Sequence, residues 1–170
     1  KNSFINDTSI EKIVIPSSVI SIGESAFEGC INLKTIEFEE GLTSIPTGLF
    51  YGCSAIEEIT IPKSVVSIGD QAFYYCTNLK KVTFSPYITY IGQEAFAYNY
   101  SLQSVELPAA LVELSGKSFA ACTSLTEIVI PKNVSRGPYG YGAPFRDCTN
   151  LKKVTFEQGM KVIPSFILSE

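Results

Sequence analysis

Apolar residues recur along this chain in the fixed phases of a 23-residue period. Ile10, Ile13, Ile15, Val19, Ile22, Ala26, Phe27, Cys30 and Leu33 set the pattern. Leu33, Ile36, Phe38, Leu42, Ile45, Leu49, Phe50, Cys53 and Ile56 repeat it, and Ile59, Ile61, Val65, Ile68, Ala72, Phe73, Cys76 and Leu79 repeat it again. A period of this size is the signature of a solenoid, in which each unit buries its apolar face only against its neighbours. Rungs begin at Ile10, Leu33, Ile56, Leu79, Leu102, Leu125 and Leu151; the last spacing is 26 residues and the others are 23. Residues 4–9 read as the tail of an earlier rung. Leu151, Val154, Phe156, Met160, Ile163, Ile167 and Leu168 read as a further rung left unfinished. The expected organisation is one repeat domain over residues 1–170, partial at both ends and part of a longer protein. Polar capping units are not recognisable, so any self-association is expected to be end-to-end stacking.

Within a rung, Ile13/Ile15, Ile59/Ile61 and Ile128/Ile130 alternate with polar residues, the period-2 pattern of a short strand. Such strands would stack in parallel at about 4.8 Å per rung. Pro16, Pro62, Pro108 and Pro131 end them, because proline brings no N–H to a ladder. A second extended segment is expected at 20–22, 66–68 and 89–91, followed by a glycine corner at Gly23, Gly69 and Gly92. The A-F-x-x-C segment is too short for a helix and predicts a single 3₁₀ or helical turn. A parallel β-helix is the alternative fold.

The unit L-x-x-I-x-I-P-x-x-V-x-x-I-G-x-x-A-F-x-x-C, carried by Ile10 to Cys30 and Ile56 to Cys76, resembles the BspA-like leucine-rich repeat, also called the Treponema-type repeat. The resemblance covers the whole chain. It implies a right-handed leucine-rich repeat solenoid of the horseshoe class, built mostly of short parallel strands and turns, with the I-x-I strands on the concave face. It also implies a cell-surface or secreted protein of host-associated bacteria or parasitic protists, with relatives that act as adhesins for host matrix proteins or other cells. A fold does not fix a function. The competing reading is a structural stalk or spacer with no ligand of its own.

The chemistry that the chain lacks narrows the field. It has no His and no Trp, so Ser-His-Asp and Cys-His catalysis and most zinc sites are excluded. It has no phosphate loop and no G-x-G-x-x-G. No enzyme activity, metal or cofactor is expected. A net charge of −4 with interspersed signs argues against nucleic acid, and no apolar stretch is long enough to span a membrane. The expected partner is a protein of the host matrix or cell surface, or a glycan.

Cys30, Cys53, Cys76, Cys122 and Cys148 share one phase, and Asn99 fills it in the remaining rung. Five is an odd number and there is no C-x-x-C pair, so an inward structural ladder of free thiols is favoured over disulfides or zinc. In that ladder Asn99 would be buried, bonded to the turn backbone and unglycosylated, although Asn6, Asn99 and Asn133 each begin a sequon.

Aromatic residues sort by phase. Ten of the eleven Phe occupy core phases and Phe166 alone does not, whereas all nine Tyr occupy variable phases. Tyr51, Tyr74, Tyr75, Tyr98 and Tyr100 gather around the turns of three successive rungs and are the first binding candidate, since tyrosine suits interfaces. The second is the inserted loop of the 26-residue rung, 135–144, where Arg136, Tyr139 and Tyr141 are interface residue types. The outward positions of the first strands are small or charged, and Glu57, Glu58 and Glu127 are expected to face Lys80, Lys81 and Lys153 as cross-rung pairs.

Overall fold

The computed structural model describes residues 4–137 and 142–167. It is a solenoid of stacked rungs. The strands are β1 (Lys12–Ile15), β2 (Thr35–Phe38), β3 (Ser44–Ile45), β4 (Glu58–Thr60), β5 (Ser67–Ile68), β6 (Lys81–Thr83), β7 (Tyr90–Ile91), β8 (Glu113–Leu114), β9 (Glu127–Ile130) and β10 (Lys153–Phe156), with one 3₁₀ turn at Ser165–Ile167. Every ladder is parallel and joins positions one period apart, as with Ile13 beside Ile36 and Ile59 beside Val82.

The first strands do not form one continuous sheet. They pair as β1–β2, β4–β6 and β9–β10. Residues 103–107 form no strand, and among the described residues no backbone hydrogen bond ties them to either neighbouring rung. The second segments are more continuous: β3, β5, β7 and β8 make a four-stranded ladder, which a bridge from Glu113 to Arg136 extends. The expected extended segment at 20–22 is not a strand, and Ile20 stands 76% exposed.

The turn around A-F-x-x-C differs from the single 3₁₀ or helical turn expected. Glu28 N–H donates to Ser25 O at 3.3 Å, and Cys30 N–H to Phe27 O at 3.3 Å, but left-handed residues interrupt any helix. Ser25, Gln71, Glu94 and Lys117 hold one left-handed position per rung, with φ near 50°, as does Gly48 with φ 63°. Gly29, Gly52, Tyr75, Tyr98 and Ala121 hold a second, with φ between 55° and 71°. Alternation of backbone sense aims every second N–H group of the turn along the solenoid axis. Ser25, Phe27 and Gly29 donate to Thr47 O, Leu49 O and Tyr51 O of the next rung at 3.0, 3.1 and 2.7 Å. Gly48, Phe50 and Gly52 do the same to Asp70, Ala72 and Tyr74, and the triad recurs at the next two interfaces. Across the 26-residue rung, Phe119 still reaches Pro144 O and Ala121 still reaches Arg146 O, each at 2.8 Å.

Gly69 and Gly92 are not in the left-handed region, so the corner argument for them is corrected. A Cβ on Gly69 would lie 2.7 Å from Thr47 N, and one on Gly92 would lie 2.6 Å from Asp70 N. These glycines permit close approach of the preceding rung's backbone.

Inside the turns a column of phenylalanines runs through Phe4, Phe27, Phe50, Phe73, Phe96, Phe119 and Phe145, with ring centroids 5.1 to 5.7 Å apart. Phe50, Phe73, Phe96 and Phe119 are fully buried, each worth about 1.5–3 kcal/mol gross. Phe166, outside the core phases by sequence, packs against the core; its ring lies where a Cβ on Gly137 would stand. Gly137 falls in the 26-residue rung, and its missing side chain makes room for that ring.

Beside the phenylalanines stand the five cysteines, all free and buried. Cys53 Sγ donates to Phe27 O at 3.0 Å, Cys76 Sγ to Phe50 O at 3.2 Å and Cys122 Sγ to Phe96 O at 3.3 Å. Burial pushes the Cys53 thiol up to about 12, which keeps it protonated and able to donate. Asn99 performs the same task through Nδ2, bonding Phe73 O at 3.1 Å and Phe96 O at 3.0 Å, while its Oδ1 is buried without a partner. The common requirement of the column is therefore a small side chain with a donor aimed at the phenylalanine carbonyl of the preceding rung.

Two outcomes follow from this column. Asn99→Ala leaves Phe73 O without its side-chain donor and should cost about 1–3 kcal/mol in urea unfolding, whereas Asn99→Cys should be neutral or stabilising. Thiol titration of the denatured chain should count five free thiols.

Candidate interaction surface

The turn ladder fixes the backbone of each outer turn, so residues at equal phase stand in columns along the solenoid. Tyr51 and Tyr74 occupy one column, preceded by Glu28 and followed by Ala97 and Ala120. Tyr75 and Tyr98 occupy the adjacent left-handed column, preceded by Gly29 and Gly52. Tyr100 lies two residues beyond Tyr98.

These five tyrosines form one contiguous cluster. Tyr51 stacks on Tyr74 with centroids 4.7 Å apart, and Tyr74 lies 5.1 Å from Tyr98. Tyr75 is 6.2 Å from Tyr98 and 6.0 Å from Tyr100, and Tyr98 is 6.2 Å from Tyr100. Tyr75 and Tyr100 remain 46% and 38% exposed, while Tyr51, Tyr74 and Tyr98 are half-buried. Mutual stacking therefore orders the cluster without removing it from solvent.

Electrostatics mark Tyr74 as its centre. Burial among the rings, then the neighbouring Tyr98 and Tyr51 hydroxyls and the Glu94 carboxylate, push its phenol up to about 12. Burial likewise raises Tyr100, with Tyr75 next in effect. Glu94 was not singled out by sequence. It is mostly buried, accepts from Gln71 Nε2 at 2.9 Å and lies 3.8 Å from Lys117 Nζ. Its phase is variable and its neighbours come from the adjacent rungs, so only stacking reveals its place beside the tyrosines.

The second candidate is not joined to the first. Arg136 is exposed, but its backbone belongs to the second ladder: its N–H donates to Val112 O and its carbonyl accepts from Leu114 N–H, both at 3.1 Å. It therefore continues a regular rung before the insertion begins. Tyr139 and Tyr141 lie outside the described residues. A hollow of about 420 Å³ lies near this rung between Lys132, Val134 and Ser135 on one side and Lys161 and Val162 on the other.

On the first-strand face, Lys80 meets Glu57 at 2.8 Å and Lys153 meets Glu127 at 3.3 Å, with Lys34–Glu11 at 3.1 Å and Lys12–Glu37 at 2.6 Å as further pairs. Glu58 stands beside Lys81 in register. These exposed pairs are each worth under about 1 kcal/mol, while Glu58 and Lys81 make no ion pair among the described residues. Among the described residues no group of three or more His, Cys, Asp or Glu could hold a metal, and no helix is long and apolar enough to cross a membrane.

The repeat pattern of the BspA type leucine rich repeat region matches the chain in six copies, over residues 1–126 and 43–170. The chain belongs to this family. BspA-type repeats form a scaffold whose fold class, a leucine-rich repeat solenoid, is the one seen here. Among solved structures, the leucine-rich repeat protein of T. pallidum is 28% identical, with a TM-score of 0.77 over 89% of this chain and 70% of that one. A leucine-rich cell-surface protein from Faecalibacterium prausnitzii is 27% identical, with a TM-score of 0.67 over 88% of this chain and 48% of that one. The BspA-type chain thus spans about half the length of the F. prausnitzii protein. The pneumococcal vaccine antigen PcpA shares the fold at 21% identity and a TM-score of 0.60, covering 92% of this chain and 53% of its own. No curated protein matches the chain.

The raised Tyr74 gives a direct check. Tyrosinate absorbance should show one phenol ionising near 12, well above the ordinary value of about 10. A phenol whose folded value is raised stabilises the fold fully below its unfolded value. That contribution should fade as pH rises from about 10 toward 12, and Tyr74→Phe should abolish this part of the alkaline loss.

Proposed function

We propose that the chain is a recognition module of a cell-surface or secreted protein, that it adheres to host matrix proteins or other cells, and that the tyrosine cluster is its contact surface. One observation carries the reading: five tyrosines, ring against ring, stand together on a backbone held by the turn ladder. Tyrosine offers large contact area at low entropic cost, and a pre-ordered platform avoids much of the cost of binding. Leucine-rich repeat domains generally mediate protein interactions, and the F. prausnitzii neighbour is a cell-surface protein; both support the reading. The charged, self-paired first-strand face serves solubility and register in this view. Residues 1–170 then act as one repeat domain within a longer protein.

Biolayer binding to immobilised fibronectin, fibrinogen and intact host cells tests this. Saturable binding to at least one surface is expected, weakened about 10-fold or more by Tyr51→Ser/Tyr100→Ser and unchanged by Lys81→Glu. Loss in Lys81→Glu alone would move the site to the first strands. Flat traces on every surface would make the chain a spacer.

A further inference from the structure

The left-handed column of the outer turn separates what the fold needs from what the surface carries. In two successive rungs the position is glycine, Gly29 with φ 71° and Gly52 with φ 70°. In the next two it is Tyr75 with φ 60° and Tyr98 with φ 61°. The hydrogen bond made by this residue is the same in all four: Gly29, Gly52, Tyr75 and Tyr98 N–H groups reach the next rung at 2.7 to 2.9 Å. Glycine therefore satisfies the ladder, and it does so without the steric cost that a bulky side chain meets in this region. Ala121 takes the same left-handed position in the following rung, so the ladder accepts other residue types there; two large rings in consecutive rungs, both in the exposed cluster, point to a role outside folding.

The charge around them narrows the partner. The outer turns 23–32, 46–55, 69–78 and 92–101 carry Glu24, Glu28, Asp70 and Glu94, and no Lys or Arg. Lys117, one rung further on, lies 3.8 Å from Glu94. Glu28 heads the Tyr51–Tyr74 column and makes no ion pair among the described residues. The opposite pattern holds on the first strands, where lysines and glutamates pair across rungs. Aromatic faces with carboxylates at their margins suit a guanidinium, which stacks flat on a ring while donating to an acid. A neutral sugar would draw nothing from this one-sided charge.

We propose that Tyr75, Tyr98 and Tyr100, with Glu94 against the cluster and Glu28 one column position before Tyr51, form a docking site for an arginine-containing basic peptide segment of the partner. This deepens the reading of the tyrosine cluster as the contact surface and rests on it.

Fluorescence anisotropy of labelled nona-arginine, with nona-lysine and nona-glutamate as controls, tests it on the 170-residue chain. Nona-arginine should bind saturably, about 3-fold or more tighter than nona-lysine, and weaken with salt. Tyr75→Gly/Tyr98→Gly should weaken it about 10-fold while the melting temperature stays level or rises, because the strain is relieved. Tyr100→Ser, outside the left-handed column, and Glu94→Gln should each weaken it without the gain in stability. Equal binding of both cationic peptides that survives the tyrosine changes would overturn the proposal, reducing it to plain charge attraction. So would a lower melting temperature with binding retained, or competition by a neutral oligosaccharide but not by nona-arginine. Running the cell-binding assay on the same double variant separates the two readings. If cell binding is lost and nona-arginine never bound, the arginine assignment falls and the contact surface stands. If cell binding persists, the contact surface itself falls, and the arginine site with it.

Discussion

The hydrogen-bonded ladder of the outer turns is the constraint on which the rest of the structure depends. Three N–H groups per rung, as at Gln71, Phe73 and Tyr75, all donate toward the next rung. They point the same way only because residues such as Gln71 and Tyr75 are left-handed. The first-strand sheet breaks between β2 and β4 and again around residues 103–107, yet the turn ladder crosses both places, with the Phe119 and Ala121 bonds carrying it into the 26-residue rung. Register is therefore held at the turns, where ring stacking and backbone bonding act together. Turn phenylalanines stack because the ladder spaces them at rung distance, and the stack in turn excludes water from the ladder.

This arrangement explains which positions are free to vary. The inward column tolerates Cys or Asn because each supplies a donor to the phenylalanine carbonyl of the preceding rung. Gly69 and Gly92 tolerate little, because backbone of the preceding rung occupies the space a Cβ would take. Outward turn positions carry no such demand and can be Glu, Gly, Tyr or Ala at no loss to the ladder. A surface patch can thus be written onto the scaffold rung by rung. The tyrosine cluster spans the rungs that begin at Leu33, Ile56 and Leu79, and its Tyr51–Tyr74 column gives way to Ala97 and Ala120.

Rigidity is what such a scaffold contributes to binding. Side chains on a stacked ladder pay little ordering entropy when a partner arrives. Stacking of Tyr51 on Tyr74 and the edge-on contact of Tyr75 with Tyr100 order the rings before contact. The raised phenol of Tyr74 reports the same crowding, since burial among rings and a nearby carboxylate both oppose ionisation.

Periodicity alone determined the solenoid, the inward Phe and Cys columns, the cross-rung pairing of Lys80 with Glu57, and the gathering of five tyrosines. The reason is physical: identical phases must stack when each rung can bury its apolar face only against the next. Stacking itself decided the remainder. Which residues would be left-handed, that Gly69 and Gly92 serve close approach, that Phe166 lies over Gly137, that Arg136 prolongs a ladder, and that Glu94 borders the tyrosines all depend on contacts between residues a full period apart. Local sequence reports the preferences of one rung. The distances between rungs, and the backbone conformation that lets one hydrogen-bond to the next, exist only once the chain has folded.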